Sequence, residues 1–250
     1  MEAKIHPTAI VMQGATIAEN CQIGAFTIIG GNASIGAGTV IGANCEIGVE
    51  SGTLPPGPLE IGEGSLIRSN SIFYRSSRFG PGLRTGHRVT VREGVTAGRG
   101  LQLGTLNDLQ GHCRIGDYVR FHSNVHVGQQ TEIGDFVWIF PYAVLTNDPH
   151  PPSTELSGCR IGRYAAIATM ATVLPGVEVG EGALVGAMTL VKDNVEEDSI
   201  CVGVPGKVVG STSKIKIKET GKAAYPWRRH FHRGYPDEVI ATWKAEFPDG

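Results

Sequence analysis

Residues 35–48 read IGAGTVIGANCEIG, and an aliphatic residue recurs in them at every sixth position. The same spacing extends in both directions from this stretch. It runs through residues 5–47, slips across SGTLPPGP, resumes through 61–145, slips again across NDPHPPSTELSG and ends with 161–191. Neither an amphipathic helix nor an alternating strand has a strict period of six residues over such a length. A hexapeptide repeat has this period, and it predicts a parallel β-helix.

The three runs contain 29 hexads, and only Thr85 and Ala97 replace a large apolar residue at the recurring position. The residue directly after this position is glycine in 16 of the 29 hexads. Glycine there is interpreted as the residue of a tight corner that requires positive φ. Four of the five cysteines occupy the small position two residues before the aliphatic one, which favours inward-facing filler over redox or metal chemistry. They are Cys21, Cys45, Cys113 and Cys159.

Composition narrows the classes of function. The net charge is −2, so a broad basic surface for nucleic acid is not indicated. No apolar run approaches the roughly 20 residues that span a bilayer, and MEAKIHPTAI does not resemble a secretory signal. An odd number of cysteines without CxxC pairs favours a reduced, cytoplasmic setting. We expect a β-helical domain over 1–210 and a C-terminal tail over 211–250, with a short helix after Pro236 that covers the open end of the coil.

Hexads of the type IGAGTVIGANCEIG resemble the left-handed β-helix of the hexapeptide acyltransferases, and the resemblance extends over about residues 3–210. It implies an all-β fold of about ten triangular coils with three hexads each. Residues 18 apart then stack on successive coils, about 4.8 Å from one another. It also implies a homotrimer that binds acyl-CoA in the groove between subunits, with no metal required. Because one fold hosts many activities, this implication concerns the class alone.

Several bulky or polar residues replace glycine after the aliphatic position, and such departures from a regular pattern often mark function. Tyr74, Arg92 and Gln110 are 18 residues apart, so they are predicted to stack along one edge. His122 and Phe140 are also 18 apart and are predicted to stack along another. The remaining departures are Arg68 and Lys192.

The segment TNDPHPPSTELSG interrupts the repeat, and we interpret it as a Pro-rich loop that replaces two hexads. Loops on a rigid scaffold commonly carry binding and catalysis. Stacking by 18 places Asn147 over Gln129 and Asp148 over Gln130. His122 lies one corner earlier, so in a trimer it is expected to face Asn147 and Asp148 of a neighbouring subunit.

Three segments, TGHRVTVREGV, FHSNVHVGQ and FVWIFPYAVLTNDPHPPS, resemble N-acyltransferases that act on dTDP-3-amino-3,6-dideoxyhexoses in surface polysaccharide synthesis. The resemblance implies that His122, Asn147 and Asp148 surround the amino sugar as the catalytic residues, with acetyl-CoA as the donor. Many related acyltransferases have a histidine base where this chain has Gln129. The thiolate of departing CoA would then accept the proton, and the three residues would mainly position the substrate.

Other side chains are predicted to bind the rest of the two substrates. Arginine suits a diphosphate and an aromatic ring suits a nucleobase, which makes the edge residues candidates for the nucleotide. The predicted substrate contacts are Gln129, Gln130, Tyr74, Arg68, Arg88, Arg92 and Phe140. Resemblance to the acyl-CoA groove of the family implies cofactor contacts at Ala168, Gly186, Lys192 and Lys207.

The residues leave other activities open. The acceptor can be a 4-amino or UDP-linked sugar, or a sugar hydroxyl that is O-acetylated. His122 and His126 also allow a zinc site like that of the gamma-class carbonic anhydrases, although no third histidine has a matching spacing. A non-catalytic scaffold that binds nucleotide sugars is the third possibility.

Overall fold

The computed structural model describes residues 1–50, 52 and 57–248, and they form a parallel β-solenoid of about eleven turns, as predicted. Each turn has three short strands, which belong to three different sheets. Up to the last turn, each strand pairs in parallel with the strand one turn later, for example Phe121 with Ile139. The chain therefore has the architecture of the left-handed β-helix.

The strands of the three sheets have the following bounds. The first sheet contains β1 (Lys4–Ile5), β4 (Gln22–Ile23), β7 (Val40–Ile41), β10 (Leu66–Ile67), β13 (Arg84–Thr85), β16 (Gln102–Leu103), β19 (Arg120–Phe121), β22 (Trp138–Ile139), β25 (Ala166–Ile167), β28 (Leu184–Val185), β30 (Ser199–Val202) and the antiparallel β31 (Lys207–Ser211). The second contains β2 (Ile10–Val11), β5 (Ile28–Ile29), β8 (Glu46–Val49), β11 (Ile72–Tyr74), β14 (Thr90–Val91), β17 (Asp108–Leu109), β20 (His126–Val127), β23 (Val144–Leu145), β26 (Thr172–Val173) and β29 (Leu190–Val191). The third contains β3 (Thr16–Ile17), β6 (Ala33–Ile35), β9 (Leu59–Ile61), β12 (Arg78–Phe79), β15 (Thr96–Ala97), β18 (Arg114–Ile115), β21 (Glu132–Ile133), β24 (Arg160–Ile161) and β27 (Glu178–Val179).

The recurring aliphatic residue of each hexad points into the solenoid and forms one continuous core. The four cysteines of the small position are fully buried in that core, which confirms their interpretation as filler. Burial raises the pKa of Cys113 to about 11 and that of Cys159 to about 12. Both thiols therefore stay protonated at neutral pH.

The glycines that follow the aliphatic residue have a different role from the predicted one. The residues with positive φ lie two positions after the glycine position, for example Asn44, Asn124 and Tyr142. A Cβ on Gly24 would lie only 2.6 Å from the backbone of the next coil, and one on Gly104 would lie 2.5 Å from the Ser123 nitrogen. Glycine is needed there because the backbones of adjacent coils approach one another closely.

Each coil has three corners, which are named here by the sheets they join. The first corner leads from the first sheet to the second, the second corner from the second sheet to the third, and the third corner from the third sheet back to the first. The register changes occur at the second corner. The earlier one, predicted at SGTLPPGP, lies mostly outside the described residues. At the later one Ile133 pairs with Ile161 in adjacent coils, so the loop is inserted at a single corner and replaces no hexad.

The three faces differ in charge. The outward side of the third sheet carries ion pairs along successive strands, with Arg78 bonded to Glu60 and Arg114 to Glu132. On the second sheet the outward residues at the strand positions are mainly apolar or uncharged: Ile10, Ile28, Glu46, Ile72, Thr90, Asp108, His126, Val144, Thr172 and Leu190. The first sheet is partly covered by the C-terminal segment.

This C-terminal segment contains two short 3₁₀ turns, η1 (Thr212–Lys214) and η2 (Trp227–Arg229), and the helix α1 (Asp237–Glu246). α1 begins after Pro236, as predicted. Its position differs from the predicted one, because Trp243 packs against Phe136 and Tyr164 of the third corner. Trp243, Tyr164 and Tyr235 form a buried aromatic cluster there, so the segment covers the side wall of the coil. None of the helices within the described ranges has the length and apolar character to cross a membrane.

Candidate functional site

His122 lies at the first corner, at a position that is glycine in half of the coils, for example Gly86 and Gly104. Its imidazole stacks on the ring of Phe140 one coil later, with ring centroids 4.8 Å apart and planes inclined by 15°. This confirms the stacked pair that the spacing of 18 predicts. Burial lowers the pKa of His122. The imidazole is therefore neutral at neutral pH and can accept a proton.

Two adjoining cavities meet at His122. The larger, about 590 Å³, has a cationic and polar wall lined by Gln102, Gly104, Arg120, Phe121, His122, Ser123, Trp138, Phe231, Arg233 and Gly234. The smaller, about 340 Å³, has mostly aromatic walls lined by His122, Trp138, Phe140, Ala166, Tyr225, Trp227, His230 and Phe231. One imidazole thus faces two chemically different compartments, the polar cavity and the aromatic cavity.

The guanidinium of Arg120 joins the polar cavity to the C-terminal segment. It is 9% exposed, lies 3.9 Å from the Tyr235 ring centroid and donates to the carbonyl oxygens of Arg233 and Gly234 at 3.1 and 2.7 Å. Burial lowers its pKa. Among the described ion pairs no carboxylate pairs with Arg120 or Arg233, so this cavity retains uncompensated positive charge.

The second histidine of the motif has different surroundings. His126 lies on β20, and its Nδ1 is 3.1 Å from Oδ2 of Asp108 one coil earlier. Gln110 donates to the same oxygen at 2.7 Å. The hydrogen bond to His126 lowers the pKa of Asp108. A carboxylate that holds Nδ1 leaves Nε2 available, which is the arrangement of an oriented base. The sequence signal for this pair was the spacing of 18 between Asp108 and His126.

Asn147 begins the loop at the second corner. A Cβ on Gly128 would lie 2.9 Å from the Asn147 Cβ, which agrees with the predicted stacking over Gln129. The loop is closed by Ser157, whose N–H donates to the Asn147 carbonyl at 2.8 Å.

The spacing predicted that Asp148 stacks over Gln130, and this prediction is wrong. Gly158 occupies that place and packs on the Gln130–Thr131 peptide, because the chain leaves the coil after Asn147 and returns ten residues late. The carboxylate of Asp148 instead accepts hydrogen bonds within the loop, from Ser153 Oγ at 2.6 Å and from the N–H groups of Ser153 and His150 at 3.1 Å each. The hydroxyl of Ser153 is the main cause of the lowered pKa of Asp148.

The predicted nucleotide contacts lie on two separate edges. Arg68 and Arg88 belong to the first corner, three and two coils before the His122 motif, which is roughly 14 and 10 Å along the axis. Tyr74 and Arg92 belong to the second corner, where the Arg92 guanidinium lies 6.0 Å from the Tyr74 ring centroid and pairs with Glu93 at 3.0 Å. No single site within one chain can use all four.

The predicted cofactor contacts also divide between edges. Ala168 and Gly186 continue the His122–Phe140 column on the next two coils. Lys207 lies on β31, where it pairs with Val202. The Cγ1 of Val202 is the nearest atom to a Cβ built on Gly186, so Lys207 lies near the end of this column. Lys192 lies on the second corner and is bonded to Asp193 at 2.7 Å.

The sequence reasoning missed the residues that the C-terminal segment brings to His122. Tyr225, Trp227, His230 and Phe231 line the aromatic cavity, and Arg233 lines the polar one. The segment YPWRRHFHRGYP was the only signal, since it mixes aromatic rings with cations. Within the described ranges no three His, Cys, Asp or Glu side chains form a group that could hold a metal ion.

Comparisons with known proteins agree with the repeat. Residues 14–49 match the model of the bacterial transferase hexapeptide (six repeats). WbbJ of Escherichia coli K12, described as a lipopolysaccharide biosynthesis O-acetyl transferase, is 28% identical over 55% of this chain and 81% of its own. The acyl-[acyl-carrier-protein]–UDP-N-acetylglucosamine O-acyltransferase of Campylobacter concisus is 24% identical over 98% of this chain and 84% of its own. Among solved structures, the UDP-N-acetylglucosamine acyltransferase of Campylobacter jejuni aligns with a TM-score of 0.46 at 18% identity, over 99% of this chain and 86% of that one.

In its repeat and its solenoid the chain is similar to the bacterial hexapeptide transferases. The family model covers residues 14–49, and the two relatives, at 28% and 24% identity, are described as transferases of acetyl or acyl groups.

Proposed function

We propose that the protein transfers an acyl group from acyl-CoA to the 3-amine of a dTDP-linked 3-amino-3,6-dideoxyhexose. The observation that carries this proposal is the position of His122, a neutral imidazole between a cationic cavity and an aromatic one. A reaction between two substrates needs such a meeting point. The named relatives that transfer acetyl or acyl groups support the class, and the resemblance of three segments to N-acyltransferases supports the acceptor.

The chemistry requires one proton to leave the amine. The neutral amine attacks the thioester carbon, the new C–N bond forms, the C–S bond breaks and CoA departs as a thiolate. His122 can accept the amine proton because burial favours its neutral form. The thiolate can also accept it, and His122 then positions the amine. The stacked Phe140 ring fixes the plane of the imidazole in both cases.

The polar cavity suits the diphosphate of the sugar nucleotide. Arg120 and Arg233 supply positive charge next to His122. We propose that Arg233 binds the phosphate oxygens with two parallel hydrogen bonds, whereas Arg120, which already donates to the carbonyl oxygens of Arg233 and Gly234, contributes its charge. In this proposal the sugar lies beside His122 and the nucleoside lies further along the first corner, toward Arg88 and Arg68.

We also propose that the site is completed by a neighbouring subunit. The first corner with His122 and the second corner with Asn147 border the same second sheet, whose outward face has fewer charges than the third sheet. If three copies turn this sheet toward a common axis, the first corner of one copy meets the second corner of the next. Asn147 and Asp148 of one subunit then bind the amino sugar held at His122 of another.

The Asp108–His126 pair favours a second candidate, transfer to a sugar hydroxyl. A hydroxyl is a weaker nucleophile than a neutral amine and needs a base when it attacks. His126, held by Asp108 at Nδ1, has the orientation of such a base. WbbJ, the relative described as an O-acetyl transferase, agrees with this alternative.

The test follows free thiol during incubation with acetyl-CoA or hexanoyl-CoA and a panel of acceptors. The panel contains dTDP-3-amino-3,6-dideoxyhexoses, their 4-amino isomers, UDP-linked amino sugars and the corresponding 3-hydroxy sugar nucleotides. A reaction without acceptor measures hydrolysis. We expect thiol release above this background with the dTDP-linked 3-amines. Release with the 3-hydroxy compounds alone would support the second candidate, and release with none would overturn both.

A further inference from the structure

The aromatic cavity beside His122 has walls made almost entirely of carbon. Trp138, Phe140 and Ala166 of the first sheet and first corner form one wall, and Tyr225, Trp227 and Phe231 of the C-terminal segment form the other. The rings support one another, since Phe231 meets Trp138 edge to face at 5.4 Å. A volume of about 340 Å³ is within the range of small-molecule sites.

The polar atoms of these aromatic walls are mostly bonded within the protein. Trp138 Nε1 donates to the Tyr235 hydroxyl at 2.9 Å and Trp227 Nε1 donates to the Tyr164 carbonyl at 2.9 Å. His230 Nε2 is 2.8 Å from the Ala224 carbonyl oxygen. The cavity therefore offers few groups that could read the edge of a nucleobase or bind sugar hydroxyls. Its chemistry suits a hydrocarbon chain, whose burial is favourable without any hydrogen bond.

The position of the cavity relates it to the reaction. His122 lines both cavities, and the polar one has the arginines that suit phosphate groups. A thioester whose carbonyl lies at His122 would direct its acyl chain into the aromatic cavity. An acetyl group would leave most of that volume empty.

The cavity is also held in a fixed shape. Arg120 bonds the carbonyl oxygens of residues 233 and 234, and its guanidinium lies between the rings of Trp138 and Tyr235, at 4.8 and 3.9 Å from their centroids. Trp243 of α1 packs on Tyr235 at 4.7 Å. The C-terminal wall is thus anchored on both sides, so its dimensions can select a ligand by length.

We propose that the aromatic cavity receives the acyl chain of the donor, and that the enzyme prefers acyl-CoA donors with chains longer than acetyl. This inference rests on the proposed function and adds the class of the donor. Burial of each further methylene favours the longer thioester until the cavity is full.

The test compares kcat/KM for acetyl-, butyryl-, hexanoyl- and octanoyl-CoA with the acceptor that gives thiol release. We expect a maximum beyond acetyl in the wild-type enzyme. Ala166→Leu fills the cavity, and we expect the hexanoyl-to-acetyl ratio of kcat/KM to fall by about tenfold or more. Phe231→Ala enlarges the cavity and is expected to move the maximum to longer chains. Ala241→Leu is the matched control, because it makes the same alanine-to-leucine change at an exposed position of α1. It should leave the hexanoyl-to-acetyl ratio of kcat/KM unchanged.

The outcomes separate this proposal from the function on which it rests. Activity that is highest with acetyl-CoA, and a ratio that neither cavity variant changes, would overturn the acyl-chain assignment and leave N-acylation intact. A selective rise in KM for the sugar nucleotide in Ala166→Leu and Phe231→Ala would assign the cavity to the acceptor and also overturn it. No thiol release with any donor would overturn the function itself.

Discussion

The imidazole of His122 is parallel to the Phe140 ring within 15°, at a centroid distance of 4.8 Å. Glycine is the usual residue at this place in the coil, so two adjacent coils both depart from the pattern and the departures contact each other. The stacked pair gives the first corner a rigid, partly dehydrated imidazole. The neutral form of His122 predicts a particular pH dependence. Its position across the second sheet from Asn147 of the same chain predicts a site shared between subunits.

Replacement of His122 by asparagine tests whether the imidazole is required as a base. Asparagine can still orient an amine by hydrogen bonding but cannot accept its proton. We expect His122→Asn to retain measurable kcat, because the CoA thiolate can take the proton. Complete loss of activity, with the fold and sugar-nucleotide binding preserved, would show instead that His122 is the base.

The pH dependence of kcat/KM should report the environment of His122. Burial lowers the pKa of this imidazole, so the acid limb assigned to it should lie below pH 6.5, its ordinary value. Phe140→Ala exposes the ring to water, which raises the pKa and moves the acid limb to higher pH. Tyr142→Ala, at an exposed position two residues further along the chain, is the matched control and should leave the limb in place. An acid limb that Phe140→Ala does not move would contradict the assignment.

The loop residues are expected to bind the amino sugar. Asn147→Ala and Asp148→Asn should both lower kcat/KM strongly, and Asp148→Asn should do so mainly through KM for the acceptor. Because Asp148 also accepts hydrogen bonds from Ser153, the change could act through loop structure alone. Ser153→Ala separates the two roles, since it removes the loop contact and keeps the carboxylate. If Ser153→Ala is as damaging as Asp148→Asn, the carboxylate has only a structural role.

Mixed oligomers test whether the site is shared between subunits. His122→Trp fills the first corner and Asn147→Ala empties the loop, so each homo-oligomer should be inactive or nearly so. When the two variants are co-expressed in equal amounts and assemble at random, each mixed trimer should have one site with both native residues, which is about a quarter of the sites over all trimers. Activity should return toward that fraction. Mixed oligomers that stay as inactive as the parents would show that both residues act within one chain.

The stability of the C-terminal segment should depend on Arg120. Arg120→Met removes the donor of two hydrogen bonds to the carbonyl groups of residues 233 and 234, each of which should contribute about 0.5–1.5 kcal/mol to stability. The expected result is faster proteolysis of the segment while the far-UV spectrum of the β-helix is unchanged. Arg160→Met, on the exposed third sheet, is the control and should change the stability by less than about 0.5 kcal/mol. Equal protease resistance in both variants would contradict the anchoring role.

The repeat alone predicted the fold, because inward residues such as Phe121 and Ile139 recur at a spacing that only a solenoid satisfies. It also predicted the stacking of His122 on Phe140, which follows from one turn of the coil. The place of Asp148 could not be derived in the same way. An inserted loop breaks the relation between spacing and stacking, so the chain left the coil one residue before the prediction required.

The C-terminal wall of the site could not be predicted for a related reason. The contacts of Tyr225, Trp227 and Phe231 with the first sheet join residues about one hundred positions apart, and no period in the sequence relates them. Their aromatic character predicted burial but did not specify the surface against which they pack. The role of the corner glycines was misjudged because a Cβ clash with the next coil is invisible in the sequence of a single hexad.

The chemical nature of the product tests the central claim most directly. The enzyme is incubated with acyl-CoA and a dTDP-linked 3-amino-3,6-dideoxyhexose, and the product is isolated, treated with mild alkali and analysed by mass spectrometry. We predict a sugar nucleotide that has gained one acyl group and keeps it in alkali, since an amide resists conditions that cleave an ester. An acyl group that alkali removes, or an acceptor recovered without any acyl group, would contradict the account.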